Sequence, residues 1–298
     1  MKVCRSEILK IRGINYHCRI WGREDAPRLF CLHGWMDVSA SFQFLVDALS
    51  GEWQVIAPDW RGYGLTGWSG NDSYWFPDYL ADLDRLLVHY QPGSPVTLIG
   101  HSMGGNVACL YAGVRPARVA RLVNLEGFGM SARKPAAAPQ RYAEWLAEID
   151  ADETSRDYDD FESLAARLQK NNPRLATERA LFLARHWGWE QGARVVLRAD
   201  PAHKRINPVL YRLDEAEACW RQVLAPVLWI EGADSKTPGH IGLSTQDLAA
   251  RRACFASIEA HVLADAGHML HHDQPEQLAH LIQAYLAAHA LDHSAACS

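Results

Sequence analysis

The sequence predicts an α/β fold, a mostly parallel sheet with helices packed on both faces. Three observations carry that expectation. Compact apolar runs of strand length recur along the chain, amphipathic helical stripes lie between them, and the alternation is interrupted once, over residues 130–222. Strands that alternate with helices need crossover connections, and crossovers bring the strands parallel.

From Glu7 to Trp21 two alternating runs, ILKIR and INYHCRIW, flank Gly13 and read as an antiparallel hairpin. Leu29–Leu32, Gln54–Ala57, Val96–Ile99, Leu122–Leu125, Val227–Ile230 and Ala260–Leu263 are short and apolar on both faces, as strands covered on both sides must be. Leu80, Leu83, Leu87 and Tyr90 form one helical stripe; Val107, Leu110, Tyr111 and Val114 form another, stopped by Pro116. Ser244 with Asp247 predicts a capping box, and Pro275 suits the first turn of a helix carrying Leu278, Leu281, Ile282 and Tyr285. Residues 130–222 lack such strand runs and read as a helical insertion; it carries Trp145, Trp187, Trp189, Trp220 and an acidic stretch from Asp150 to Asp160, and KPAAAP at its start reads as a linker. The expected division is a core of residues 1–129 and 223–298 with the insertion between them.

A chain of 298 residues, 48% apolar and 22% charged, is long enough to bury a sizeable core without disulfides or metal. Its 30 basic residues against 35 acidic ones give a net charge of −5, which disfavours nucleic acid and anionic membranes as partners. Seven scattered cysteines with no C-x-x-C pair argue against a disulfide framework or a zinc site. The N-terminus alternates apolar and polar residues where a signal peptide would be uniformly apolar, and no run approaches the length of a membrane span. A cytoplasmic protein acting on a small molecule is expected.

The sharpest chemical signal is Gly100-His101-Ser102-Met103-Gly104, a G-x-S-x-G between a strand and a helix. The turn is so tight that the residues around the serine need almost no side chain, hence Gly100 and Gly104. A serine hydroxyl becomes a nucleophile only when a base takes its proton and a carboxylate orients that base. Downstream, Asp234 follows one strand run and His268, in Ala266-Gly267-His268, follows the last one.

Ser102, Asp234 and His268, in that order and each at a strand's carboxyl end, resemble the triad of the α/β-hydrolase superfamily. The resemblance covers nearly all of the chain except the insertion, and it implies an α/β-hydrolase fold with a mostly parallel eight-stranded sheet and a helical cap, or lid, at residues 130–222. Cys31-Leu32-His33-Gly34-Trp35 resembles the family's H-G loop, with His33 and Gly34 supporting an oxyanion hole formed by the backbone N–H groups of Trp35 and Met103. Asp59-Trp60-Arg61-Gly62-Tyr63-Gly64 resembles the D-x-R-G-x-G turn, where Arg61 is expected to bond nearby carbonyls. Asn207–Arg212 through Cys219-Trp220 is similar to the cap exit of serine hydrolase-like relatives of the haloalkane dehalogenases. Those dehalogenases use an aspartate as nucleophile; the serine at 102 implies attack on carbonyl carbon instead.

The acid has two candidates. Glu231-Gly232-Ala233-Asp234 with Pro238 resembles the family's usual acid turn, one residue short, and makes Asp234 the expectation; Glu126, at the end of the strand after the nucleophile helix, is the alternative. The run His271-His272-Asp273 invites a metal reading, but no second ligand cluster accompanies it in sequence, so no metal or cofactor is expected. His271 is a second candidate for the base. The resemblance implies a carboxylesterase working through an acyl-enzyme on a small to medium, largely apolar ester. The same residues also fit C–C hydrolysis of a ring-cleavage product, which would call for a basic group such as Arg185 or Arg212 on a carboxylate tail, a cofactor-free perhydrolase or haloperoxidase, and a ligand-binding protein without turnover.

Overall fold

The computed structural model describes residues 1–149 and 157–290; part of the acidic stretch, from Asp150, and Cys297 lie outside them. The chain runs β1 (Cys4–Ile11), β2 (Ile14–Trp21), β3 (Arg28–Leu32), α1 (Gln43–Ala48), β4 (Gln54–Pro58), α2 (Phe76–Tyr90), β5 (Val96–His101), α3 (Met103–Val114) and β6 (Val119–Leu125). The interrupting segment follows with α4 (Ala138–Ile149), β7 (Asp157–Tyr158), α5 (Phe161–Asn171), α6 (Thr177–Trp187), β8 (Gly188–Gln191), β9 (Arg194–Leu197) and α7 (Leu213–Trp220). The alternation then resumes with β10 (Val227–Gly232), α8 (Thr237–His240), α9 (Thr245–Arg252), β11 (Ile258–Leu263), α10 (Leu270–Asp273) and α11 (Pro275–Ala288).

Eight strands form one sheet in the order β1-β2-β4-β3-β5-β6-β10-β11. Within it β2 runs against its two neighbours, and the remaining pairs are parallel. Arg12 and Gly13, at φ 46° and 86°, turn the β1–β2 hairpin; two successive positive φ values are what a two-residue turn matched to strand twist requires. On one face Leu83, Leu87, Val107, Tyr111, Trp220 and Leu248 pack from α2, α3, α7 and α9; on the other Leu45, Leu278, Ile282 and Tyr285 pack from α1 and α11. The predicted capping box closes as expected, with the Ser244 hydroxyl accepting from the Asp247 N–H and the Asp247 carboxylate accepting from the Ser244 N–H. No helix among the described residues is long and apolar enough to cross a membrane.

The segment that reads as helical also holds a small antiparallel sheet, β7-β9-β8. Leu164, Leu168, Leu183, Ala184 and Val195 give it a core of its own, seated on Phe44 of α1. Its last helix, α7, belongs to the main core: Trp220 is buried there, and a Cβ on Gly113 of α3 would lie 1.9 Å from the Cys219 carbonyl oxygen.

Arg61 differs from its expected role. Rather than bonding carbonyls, its Nε and Nη2 donate to Asp82 at 2.5 and 2.6 Å, both side chains are buried, and Asp78 lies 3.1 Å away. This bidentate pair ties the D-x-R-G turn to α2, and Asp82 also accepts from Arg12 at 3.0 Å and from the Tyr16 hydroxyl at 2.8 Å, so the buried charges are compensated together.

Buried histidines set the acid sensitivity of this fold. Burial holds His33 down at about 4 and His203 and His272 at about 3, so all three stay neutral in the folded chain at pH values where the unfolded chain protonates them. Depressed folded pKa values favour the folded state above the unfolded value, and that contribution is lost as pH falls from about 6.5 towards 4. Burial lowers His101, His186 and His271 as well and pushes only Asp37 the other way among these buried groups, up to about 7, so the histidines outweigh it. The melting temperature should therefore fall steadily in scans from pH 7 to pH 4. A flat or rising trend would contradict the buried, neutral placement of these rings.

Candidate active site

Ser102 occupies the single residue between β5 and α3, with φ 51° and ψ −116°. A non-glycine residue holds this backbone only when its surroundings force it. Its N–H donates to the Leu125 carbonyl at 2.8 Å, and the flanking glycines are obligatory. A Cβ on Gly104 would stand 2.1 Å from the Leu32 carbonyl oxygen, and one on Gly100 would stand 2.5 Å from the Gly104 oxygen. The hydroxyl is thus presented where β5 gives way to the N-terminus of α3.

His268, on the loop after β11, meets it. Nε2 lies 3.0 Å from Ser102 Oγ, and Nδ1 lies 3.0 Å from Glu126 Oε2. A carboxylate at Nδ1 takes the ring's N–H there, which leaves the Nε2 lone pair facing the hydroxyl proton. The His268 carbonyl is held in turn by His101, whose Nε2 is 2.8 Å away.

The carboxylate at His268 is Glu126, not the expected Asp234. Glu126 directly follows β6 at φ 59°, is buried, and accepts from the Gly232 N–H at 2.7 Å and the Ser235 hydroxyl at 2.5 Å. Asp234 lies half exposed and pairs with Arg174 at 2.5 Å. The hydrogen bonds make the difference: the Gly232 N–H at the end of β10 and the Ser235 hydroxyl in the turn beyond it both face Glu126, while the Asp234 carboxylate is taken by Arg174. The signal available in the sequence was an acidic residue ending a strand that is otherwise almost wholly buried.

The H-G loop is pinned through the first of its pair. His33 Nδ1 donates to the Gly34 carbonyl at 2.8 Å and its Nε2 accepts from the Trp60 N–H at 2.9 Å, while Gly34 packs against Ser102, a Cβ there falling 3.2 Å from the Ser102 Cβ. Trp35 and Met103, the two expected oxyanion donors, both border the same cavity as Ser102. The Trp35 indole donates to the His203 carbonyl at 3.2 Å. His203 itself is stacked between Tyr63 and Tyr74, with ring centroids 3.8 Å from each, a clamp between core and insertion that sequence reasoning did not find.

The cavity measures about 370 Å3. Trp35, Tyr79, Met103 and Phe128 make much of its wall mostly apolar, and Arg141 and Asn207 reach it from the insertion. Of the other basic candidates, Arg212 is exposed and pairs with Asp214, and Arg185 borders a different, smaller cavity of about 70 Å3. The His-His-Asp run divides its work. His271 and His272 are buried against Phe42 and Phe44, so neither ring takes the place of His268, and Asp273 accepts from the Gly267 N–H at 2.8 Å and from Asn172 at 2.6 Å, bracing the loop that carries His268.

Comparison with known proteins agrees with this architecture. A family model described as the alpha/beta hydrolase fold matches residues 27–275. A serine hydrolase-like protein of Danio rerio is 26% identical over 291 residues, covering 93% of this chain and 86% of that one. Among solved structures, a thioesterase domain from the curacin biosynthetic pathway superposes with a TM-score of 0.86 at 23% identity, over 95% of this chain and 99% of that one. An esterase from Mycobacterium tuberculosis superposes with a TM-score of 0.73 at 21% identity, over 96% of this chain and 92% of that one. With its sheet order, its serine turn and the family match in agreement, the chain belongs to the α/β-hydrolase family and has serine hydrolase-like relatives.

Proposed function

We propose that this protein is a serine hydrolase that cleaves carboxylic esters through an acyl-enzyme, with Ser102 as nucleophile, His268 as general base and Glu126 as the orienting acid. The observation that carries the reading is the hydrogen-bonded series Ser102 Oγ, His268 Nε2, His268 Nδ1, Glu126 Oε2, each link 3.0 Å long. As Oγ attacks the carbonyl carbon, His268 takes its proton, and the Glu126 carboxylate stabilises the imidazolium. The N–H groups of Trp35 and Met103 receive the oxyanion, a contribution of about 3 to 4 kcal/mol per donor. His268 then returns the proton to the leaving alkoxide, and water repeats the sequence on the acyl-enzyme. No cofactor enters these steps.

Residues 130–222 act as the cap. Arg141, His203 and Asn207 come from this segment and line the cavity over Ser102, which supports the assignment. The apolar wall favours an uncharged acyl group of small to medium size. Six described cysteines, all free, support a reducing, cytoplasmic setting.

A second reading rests on Arg141 and Arg205, both in the cavity wall: an acyl group ending in a carboxylate. A panel of p-nitrophenyl esters decides between them. Neutral acyl chains of increasing length should give a maximum in kcat/KM, with turnover falling once the chain overfills the cavity. Preference for a monoester of a dicarboxylic acid, lost in Arg141→Ala, would favour the second reading, and absence of turnover on every ester would contradict both.

A further inference from the structure

Beside the serine–histidine pair, three side chains, one each from a loop, a strand and a helix, converge in the interior. Asp37 lies in the loop after β3, His101 ends β5 and His271 lies in α10; their relative exposures are 2%, 1% and 0%. One ligand-capable atom of each lies within 4.8 Å of the others, and Asp37 Oδ2 is 4.0 Å from His271 Nε2. Asp37 Oδ2, His101 Nδ1 and both ring nitrogens of His271 are buried without a hydrogen-bond partner. Buried polar atoms are almost always satisfied, so one such atom from each of the three residues, gathered in one small volume, asks for an occupant.

We propose that Asp37, His101 and His271 form a buried site for one transition-metal ion of the Zn2+ class, built from a carboxylate oxygen and two imidazole nitrogens. The donor set is the one such ions prefer. The dimensions agree, because a point central to three atoms no more than 4.8 Å apart lies within about 2.8 Å of each, and inward shifts of at most about 0.6 to 0.8 Å bring them to the usual 2.0–2.2 Å. The tautomer agrees as well. His101 Nε2 faces the His268 carbonyl at 2.8 Å and so carries the proton, which leaves a lone pair on Nδ1. Asp37 is oriented in the same way, since its Oδ1 accepts from the Val38 N–H at 2.8 Å and from the Ser41 hydroxyl, leaving Oδ2 free for the ion. Burial also holds both imidazoles neutral, the form that binds metal.

An ion here would supply the cationic partner that the buried Asp37 lacks. It would also fasten the His268 loop from two sides, through His101 to the His268 carbonyl and through His271 three residues further on. The ligands stand at positions 37, 101 and 271, so a search for clustered ligands along the chain does not find them.

The test starts from full-length protein stripped with a chelator and dialysed, to which Zn2+ or Co2+ alone is added. One equivalent of Zn2+ should be retained per chain by elemental analysis and should raise the melting temperature. Asp37→Asn and His271→Phe, the latter keeping the stack on Phe42, should each weaken retention by about 100-fold or more. X-ray absorption on the Zn2+-loaded wild type, which does not depend on any variant folding, should report two imidazoles and one carboxylate. Failure to retain an equivalent, retention unchanged in both variants, or a first shell of different composition would overturn the site.

Discussion

Ser102→Ala should lower kcat for ester hydrolysis by roughly 10,000-fold to 1,000,000-fold, and His268→Ala should do nearly the same. The two act as one unit, Nε2 being 3.0 Å from Oγ, so the double variant should be scarcely worse than either alone. Steady-state rates on the best ester of the panel, corrected for spontaneous hydrolysis, measure this directly. The serine side chain makes no other hydrogen bond in the described residues, so Ser102→Ala should melt within a few degrees of the wild type. Losses that multiply in the double variant would mean that serine and histidine act in separate steps.

Glu126 and Asp234 should separate by orders of magnitude. Glu126→Gln keeps the size and burial of the side chain but presents an amide where His268 Nδ1 needs an anionic acceptor, and kcat should fall between about 100-fold and 10,000-fold. Asp234→Asn removes an exposed pair with Arg174, of a kind worth at most about 1 kcal/mol, so kcat should stay within about fivefold. The reverse ranking would return the acid to the loop after β10. Circular dichroism of Glu126→Gln guards against misfolding, since the same carboxylate also receives the Gly232 N–H and the Ser235 hydroxyl.

The contrast between these two carboxylates explains what sequence could and could not reveal. Most core strands were legible because a strand covered on both faces must be largely apolar, as VTLI and LVNL are; β11 departs from that reading, since it lies at the sheet edge with Glu259, Ala260 and Val262 exposed. Ser102 and His268 were legible because the steric demands of their turns are met by neighbours in sequence. The acid was not, because β6 and β10 are adjacent strands and each ends in a loop with a carboxylate; the choice depends on which of them the Gly232 N–H and Ser235 hydroxyl face. Arg61 was misread for the same reason, its partner Asp82 lying one helix away. The small sheet in the insertion escaped notice because GWEQ and RVVL are four residues each and mostly exposed or half-buried, with Gly192 at φ 62° in the turn between them as the one local sign. The His203 clamp between Tyr63 and Tyr74 joins residues more than a hundred positions apart and leaves no local pattern at all.

The most direct test of an activated serine at position 102 needs no knowledge of the substrate. Purified protein is exposed to a fluorophosphonate and its intact mass is measured beside Ser102→Ala and His268→Ala. The account predicts one covalent adduct on the wild type, none on Ser102→Ala and a labelling rate reduced by roughly 1,000-fold or more on His268→Ala. Wild-type protein that is folded yet takes no adduct, or an adduct that persists in Ser102→Ala, would contradict it.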